Sequence, residues 1–358
     1  MPIVSLIGHD ALQARLLAAH QQGALPASLL FHGPPGVGKQ RLALWLARAI
    51  LCTAAQPACG ACESCRFTAE LTHPDLHWVF PRPRPKDADP SAAEVRGDAA
   101  DAIADRVKAH GLYAPPSGTE GIFIATVRAV LQQATLSPAL ARRKVFVVGD
   151  AERMVSQEGA DQAANAFLKL LEEPPADTTI IITSSEPGAL LPTIRSRVVA
   201  VRVPSLPDAD VRRWLQEPTV RAALDAARLP ASDDERVRLA GGAPGLLLGS
   251  TERGEAIAAA GRLLDAATGG SRARRLRAAF GTGSSKARGA FSDTLDAVTV
   301  QLHDRVRDAV RRGDDRTAAA AARAVDAVET AKQRAAGNVT PQLLAAGLMR
   351  EIADGTRR

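Results

Sequence analysis

Residues 28–40 read SLLFHGPPGVGKQ, and the architecture of the chain follows from this segment. The apolar run Ser28–His32 predicts a short buried β-strand, and a glycine-rich turn begins directly after it at Gly33. The apolar residues of Arg41–Leu51 then predict a helix that is buried on most sides. A strand, a glycine-rich loop and a helix in this order form the setting in which a G-x-x-x-x-G-K loop binds phosphate.

The loop itself carries most of the groups that bind a nucleotide. Gly33, Gly36 and Gly38 let backbone N–H groups surround a phosphate, and Lys39 can reach the outer phosphates. Gln40 stands where the pattern has a serine or threonine, whose hydroxyl binds Mg²⁺. We therefore predict a degenerate site in which binding of ATP or ADP stays open and hydrolysis is disfavoured. The alternative is a loop that is kept only as a structural turn.

A P-loop ATPase also needs an acid at the end of a second buried strand, and commonly a neighbouring acid that polarises water. The apolar run from Lys144 ends in Asp150, which satisfies the first requirement. Ala151 follows where the second acid is needed, and Glu152 lies one residue further. This spacing predicts that the Glu152 side chain points away from the site into solvent. The changes at Gln40 and Ala151 together indicate lost catalysis.

All four cysteines of the chain lie within one short segment, as Cys52, Cys59, Cys62 and Cys65. Four thiolates at this spacing predict one structural Zn²⁺ site with tetrahedral geometry and no open position for a substrate. Free or partly oxidised thiols are the alternative. His73 and His77 are close enough in sequence to replace a ligand, but with four cysteines present we expect ordinary loop and strand residues.

The amino-acid composition excludes several classes of protein. The chain has 358 residues, of which 46% are hydrophobic, many of them alanine, and 3% are aromatic. These values exclude a disordered tail protein and a disulfide-stapled miniature domain, and they indicate many helices. The net charge of +6 permits an acidic partner without requiring one. No apolar run approaches the ~18 residues of a membrane span, and the N-terminus has no secretory pattern, so we predict a cytoplasmic protein without a membrane partner.

The order of predicted elements divides the chain into three parts. Strands alternate with helices through residues 1–204, which predicts an α/β module with a doubly wound parallel sheet. This module includes the cysteine segment at 52–65 and a proline-flanked stretch at about 81–120, which we interpret as a flexible insertion with a helical piece. Residues 205–250 form a small helical unit, and residues 251–358 are helical almost throughout.

Together these pieces resemble the bacterial clamp-loader branch of the AAA+ ATPases. The most specific motifs are Asn165–Pro175, which reads NAFLKLLEEPP, and Ile194–Arg197, which reads IRSR. The P-loop, the cysteines and His73-Pro74-Asp75 also fit, so the resemblance covers about residues 5–250. It implies an AAA+ module, a helical lid at 205–250 and an all-α collar for oligomerisation at 251–358, in which Asn338–Met349 is similar to the family's last helix.

The altered positions distinguish between members of that family. Its γ/τ motor subunits keep Lys-Thr in the P-loop, Asp-Glu after the strand and an arginine in a Gly-x-x-Arg motif of the lid. This chain has Lys39-Gln40, Asp150-Ala151 and, in Gly242–Gly245, no arginine. The more divergent δ type would not keep the cysteine module. The resemblance therefore implies a non-motor subunit, and a γ/τ-like active ATPase is the alternative.

For Arg197 the resemblance implies an arginine finger, which reaches the γ-phosphate of ATP on a neighbouring γ/τ subunit. It also implies a hetero-pentamer with γ/τ and δ subunits, which uses ATP to load the β sliding clamp on primed DNA at the nucleoid. No paired carboxylates for nucleotidyl transfer are evident, so a DNA polymerase label would belong to the holoenzyme. An independent DNA-binding protein is a third possibility, based on Arg272, Arg274, Arg275 and Arg277, although such a cluster more often forms a solvated face.

Overall fold

In the computed structural model, the described residues are 3–85, 87, 90–116, 120–154, 161–226, 232–248, 250–269, 271–281, 288–335 and 340–357. They form two compact units, whose border lies between residues 248 and 249. The predicted division at residues 204 and 250 stays a prediction. Asn338 and parts of the predicted insertion (86, 88–89 and 117–119) lie outside the described residues.

A single parallel sheet organises the first unit. Its strands are β1 (Ser28–His32), β2 (Leu76–Val79), β3 (Lys144–Val148), β4 (Thr178–Ser184) and β5 (Val199–Arg202). They are ordered β2-β3-β4-β1-β5, and every neighbouring pair is parallel. The predicted α/β fold class with a parallel sheet is therefore confirmed. Because the strands are parallel, the loops after β1, β3 and β4 meet at one edge of the sheet.

Helices connect the strands and build the rest of both units. In the first unit they are α1 (Asp10–Gln21), α2 (Lys39–Leu51), α3 (Glu63–Ala69), α4 (Ala92–Lys108), α5 (Ile124–Thr135), α6 (Asp161–Glu172), α7 (Pro192–Arg195), α8 (Asp208–Gln216), α9 (Pro218–Ala226) and α10 (Asp233–Ala240). In the second they are α11 (Ser250–Gly269), α12 (Arg272–Phe280), α13 (Arg288–Arg311), α14 (Asp315–Ala335) and α15 (Pro341–Arg357). Each described helix is too short or too polar to cross a lipid bilayer.

The two faces of the sheet bury different residues of the same strands. Val145 and Val147 belong to the apolar cluster that contains α2, whereas Phe146 and Val148 belong to the cluster that contains α6. This alternation follows from the two-residue period of a strand, and burial on both faces explains why β3 is apolar throughout. The second unit has its own core, to which α11, α13, α14 and α15 contribute leucine, valine and many alanines.

The Asp75 side chain connects the start of β2 to the loop before β3 through hydrogen bonds. Its carboxylate accepts backbone N–H groups from Ala139 at 2.6 Å, Leu140 at 2.8 Å and Ala141 at 2.6 Å. Burial raises the pKa of this carboxyl, but the three donors outweigh burial and hold the pKa below its usual value. The His73-Pro74-Asp75 motif therefore has a structural role, because it fixes the register of two neighbouring strands.

Replacing Asp75 by asparagine should lower the free energy of unfolding by about 2 kcal/mol at neutral pH, because the amide cannot accept all three bonds as a charged group does. The pKa is lowered on folding, so the wild-type advantage is present at neutral pH and disappears as the pH falls below about 4. Urea titration followed by tryptophan fluorescence measures this, since Trp45, Trp78 and Trp214 all lie in the first unit. The exposed Asp101→Asn is the control, and equal stability of both variants would contradict the assigned role.

Candidate functional site

The glycine-rich loop lies between β1 and α2, at the edge of the sheet where the parallel strands end. Gly38 precedes α2 with φ 96°, and Gly36 has φ 76°, so both take left-handed backbone conformations that favour glycine. The Gly245 N–H donates to the Gly36 carbonyl at 2.9 Å. A Cβ at Gly36 would lie 2.8 Å from the backbone nitrogen of Leu246. The predicted lid segment therefore packs directly on the P-loop.

Lys39 is turned inward and is held by oxygen atoms of the chain itself. Its Nζ donates to the carbonyls of Gly33 at 2.9 Å and Pro34 at 2.8 Å, and to Ser185 Oγ at 2.9 Å. The residue is 5% exposed, and burial lowers its pKa to about 8, against the opposing effect of nearby carboxylates. A phosphate would have to displace these partners before it could bind the ammonium group.

Gln40 joins the loop to the end of β3. Its Nε2 donates to Asp150 Oδ2 at 2.9 Å, while its Oε1 accepts the Trp78 indole N–H at 3.0 Å. A Cβ at Gly149 would lie 2.3 Å from Gln40 Oε1, so a larger residue before Asp150 would force the Gln40 side chain to move. The side-chain amide thus contacts the carboxylate that a P-loop ATPase uses for Mg²⁺, and it engages one of the two oxygens.

Asp150 and Glu152 both belong to this site. Asp150 has φ 47°, and burial, together with the nearby Glu152 carboxylate, raises its pKa to about 6. Glu152 lies in the short 3-10 turn Ala151–Met154, and its Oε1 accepts the Ser185 N–H at 3.0 Å. The prediction that Glu152 points into solvent is wrong, because the 3-10 turn brings its side chain back toward β4. Its Oε2 is buried and has no hydrogen-bond partner among the described residues.

A half-buried arginine, for which the sequence offers no signal, lies beside Trp78 and Tyr113, the two ring partners of Gln40. The Arg106 guanidinium on α4 lies over the rings of Trp78 at 4.6 Å, Phe80 at 3.3 Å and Tyr113 at 3.7 Å. These distances are within the range of cation–π contacts. Tyr113 also donates its hydroxyl to Gln40 Oε1 at 3.5 Å, at the limit of hydrogen-bond length. Residues of the predicted insertion therefore form one wall of the candidate phosphate site.

The four cysteines come together as the spacing predicts. Their sulfur atoms all lie within 4.8 Å of one another, and the Cys52–Cys62 and Cys59–Cys65 pairs are 3.8 and 3.9 Å apart. Four sulfurs around one Zn²⁺ at about 2.3 Å are about 3.8 Å apart. The donor set and its spacing therefore fit a tetrahedral metal centre.

Backbone N–H groups around these sulfurs favour thiolates at two of the positions. The N–H groups of Cys62 and Ala61 lower the pKa of Cys59. At Cys62, burial raises the pKa of the thiol. Hydrogen bonds from N–H groups, including that of Cys65, outweigh burial and lower the pKa to about 6. Burial raises the pKa of Cys65 to about 12, so this thiol loses its proton only if a cation compensates the charge.

The two nearby histidines have other partners. The Nε2 atom of His73 lies 2.6 Å from Ser64 Oγ, and the Nδ1 atom of the same ring accepts the Asp75 N–H at 3.0 Å. His77 stacks on Phe146, and burial lowers its pKa to about 4. The expectation that both are loop and strand residues is confirmed.

Arg197 lies at the end of the α7 turn, just before the edge strand β5. Its side chain is 34% exposed, and Nη2 is 2.8 Å from Glu172 Oε1. Nη1 donates to the Thr193 carbonyl at 3.0 Å and to Ser196 Oγ at 3.2 Å. The structure thus brings Lys39, Gln40 and Asp150 together at one site, while Arg197 is presented at the surface next to Glu172.

Comparisons with known proteins agree with these motifs. The family described as DNA polymerase III, delta subunit, matches residues 8–207. A relative from Pseudomonas aeruginosa, named DNA polymerase III subunit delta′, is 34% identical over 218 residues, which are 60% of this chain and 52% of the relative. The Escherichia coli protein of the same name is 29% identical over 238 residues, which are 65% and 57% of the two chains.

A second type of subunit also matches. DNA polymerase III subunit gamma/tau from Mycobacterium tuberculosis is 32% identical over 212 residues, which are 59% of this chain and 30% of the relative. The chain spans about half the length of the delta′ relatives it matches. Because the family match covers more than half of the 358 residues, the chain belongs to the family of DNA polymerase III delta subunits.

Proposed function

We propose that this chain is the delta′ subunit of a DNA polymerase III clamp loader, whose own phosphate site does not hydrolyse ATP. The observation that carries the proposal is the hydrogen bond from Gln40 to Asp150, because it engages one oxygen of the carboxylate that binds Mg²⁺ in a P-loop ATPase. The relatives named delta′ support the same assignment. In this proposal the partners are γ/τ and δ subunits in a cytoplasmic hetero-pentamer, which loads the β sliding clamp on primed DNA.

The proposal assigns separate tasks to the parts of the chain. The α/β module holds a P-loop whose cation is already satisfied by Gly33, Pro34 and Ser185, so its task is structural. The four cysteines hold a structural Zn²⁺, which would tie the end of α2 to α3. Residues 205–250 serve as a lid over the loop, and residues 251–358 serve as the collar that joins other subunits.

Arg197 acts in this proposal on a neighbouring subunit. A guanidinium stays charged at every physiological pH and can bind two phosphate oxygens through parallel hydrogen bonds. An arginine supplied in trans stabilises the charge that develops on the γ-phosphate during transfer. The position of Arg197 on the surface, before an edge strand, supports a contact of this kind.

A γ/τ-like ATPase is the second candidate function, and the intact Lys39 and the match to gamma/tau relatives favour it. In that case Lys39 would leave its carbonyl partners when nucleotide binds, and Mg²⁺ would compete with the Gln40 amide for Asp150. The two candidates therefore differ in what the isolated chain does with Mg²⁺ and ATP.

The isolated chain should hydrolyse Mg²⁺-ATP no faster than the buffer background, and Lys39→Ala should leave this background unchanged, because the magnesium carboxylate is engaged by Gln40. Phosphate release from the purified chain measures this. Turnover that Lys39→Ala abolishes would support the γ/τ-like ATPase and count against a non-motor subunit.

The chain purified under reducing conditions should contain one zinc per molecule, and Cys65→Ser should lose it, because three thiolates leave the shell incomplete. Elemental analysis measures the metal, and Glu63→Gln on the same short helix is the matched control. Equal zinc in Cys65→Ser and wild type, or no zinc in either, would contradict the metal centre.

In a complex reconstituted with its partner subunits, Arg197→Ala should lower DNA-stimulated ATP hydrolysis at least about tenfold, since arginine fingers contribute about 10³–10⁵ in other phosphoryl-transfer systems. Folding and zinc content should stay at wild-type values. Arg195→Ala, which removes an exposed arginine two residues away, is the matched control. Full activity of Arg197→Ala in an assembled complex would refute the trans role.

A further inference from the structure

The Arg197 guanidinium is engaged at both of its terminal nitrogens. Nη2 pairs with Glu172 Oε1 at 2.8 Å, while Nη1 donates to the Thr193 carbonyl and to Ser196 Oγ. A two-point contact with phosphate uses two of the guanidinium nitrogens. These contacts use three of the five guanidinium N–H groups, so a phosphate that binds the terminal nitrogens competes with the present partners.

Glu172 is the partner most easily exchanged. The Thr193 and Ser196 contacts are local, because both residues lie within four positions of Arg197 on the same turn. The Glu172 pair instead bridges two segments, and its side chains are 34% and 47% exposed. Exposed ion pairs of this kind are weak, because water competes for both partners. A phosphate with a higher negative charge can therefore replace the Glu172 carboxylate.

The position of Glu172 on its helix adds a second argument. Glu172 is the last residue of α6, and the prolines at 174 and 175 prevent the helix from continuing. An acidic side chain at a helix C-terminus is electrostatically unfavourable, because the helix end already carries partial negative charge. The end of α6 therefore does not stabilise the negative charge of Glu172. The Arg197 guanidinium does stabilise it.

We propose that Glu172 is an intramolecular competitor of phosphate, which holds the Arg197 guanidinium until the γ-phosphate of ATP on a neighbouring subunit displaces it. This inference rests on the proposed trans role of Arg197. Before assembly, the pair keeps a surface arginine charge-neutralised and in one conformation. After assembly, the Glu172 carboxylate and the γ-phosphate compete for the Arg197 guanidinium. The strength of the Glu172 contact therefore sets the ATP occupancy at which Arg197 binds the phosphate.

The test uses the reconstituted complex and measures DNA-stimulated ATP hydrolysis against ATP concentration. Glu172→Gln keeps the shape of the side chain but removes its charge, so it should lower the half-saturating ATP concentration about two- to fivefold at an unchanged maximal rate. Glu173→Gln, which neutralises the next residue, is the matched control and should behave as wild type. The difference should shrink at high salt, since exposed charges are screened.

A double variant separates this inference from the function on which it rests. If Arg197 acts in trans and Glu172 competes, Glu172→Gln should have no effect in an Arg197→Ala background. If Arg197→Ala alone leaves hydrolysis intact, the proposed trans role fails. If Arg197→Ala is defective but Glu172→Gln equals wild type, or lowers the maximal rate, the competitor role is overturned while the trans role stands. Glu172→Ala repeats the test if the glutamine variant does not assemble.

Discussion

The hydrogen bond between Gln40 and Asp150 is the interaction on which the character of the phosphate site depends. A P-loop ATPase separates its loop hydroxyl and its strand acid with Mg²⁺, and the ion balances both the carboxylate and the phosphates. Here an amide joins the two positions directly at 2.9 Å. Burial, together with the nearby Glu152 carboxylate, raises the pKa of Asp150 to about 6, and the Gln40 amide donates to this carboxylate.

The surroundings of Gln40 are built to keep this amide in one orientation. The Trp78 indole donates to Oε1, which leaves Nε2 to face Asp150, and Gly149 gives the side chain room that any Cβ would remove. Trp78 is in turn covered by the Arg106 guanidinium. A single change from glutamine to threonine would therefore leave a buried indole N–H without its acceptor, which costs free energy in a protein interior. Gln40 and the aromatic residue beside it, Trp78, therefore depend on each other.

The sequence predicts those features whose cause is local. The strand Ser28–His32, the strand that begins at Lys144 and the four-cysteine cluster depend on apolar runs or on short spacing, and the structure has them where the residues indicate. Glu152 differs from its prediction because the chain turns into a 3-10 helix directly after Asp150, and no residue pattern in the sequence marks this turn. Arg106 was missed for another reason: its ring partners come from segments before and after it, and no periodic pattern marks a cation–π contact.

The two cationic side chains of the proposed function are Lys39 and Arg197. They differ mainly in how deeply each one is buried together with the oxygen atoms that accept its hydrogen bonds. Lys39 is 5% exposed and is satisfied by two loop carbonyls and a hydroxyl, so an anion has to compete with three hydrogen bonds to a buried ammonium group. The Arg197 side chain is 34% exposed, and one of its partners is a solvent-accessible carboxylate. Desolvated hydrogen bonds resist exchange, whereas water helps to exchange exposed ones. Burial therefore makes Lys39 a fixed part of the fold, whereas the exposed contact between Arg197 and Glu172 can exchange.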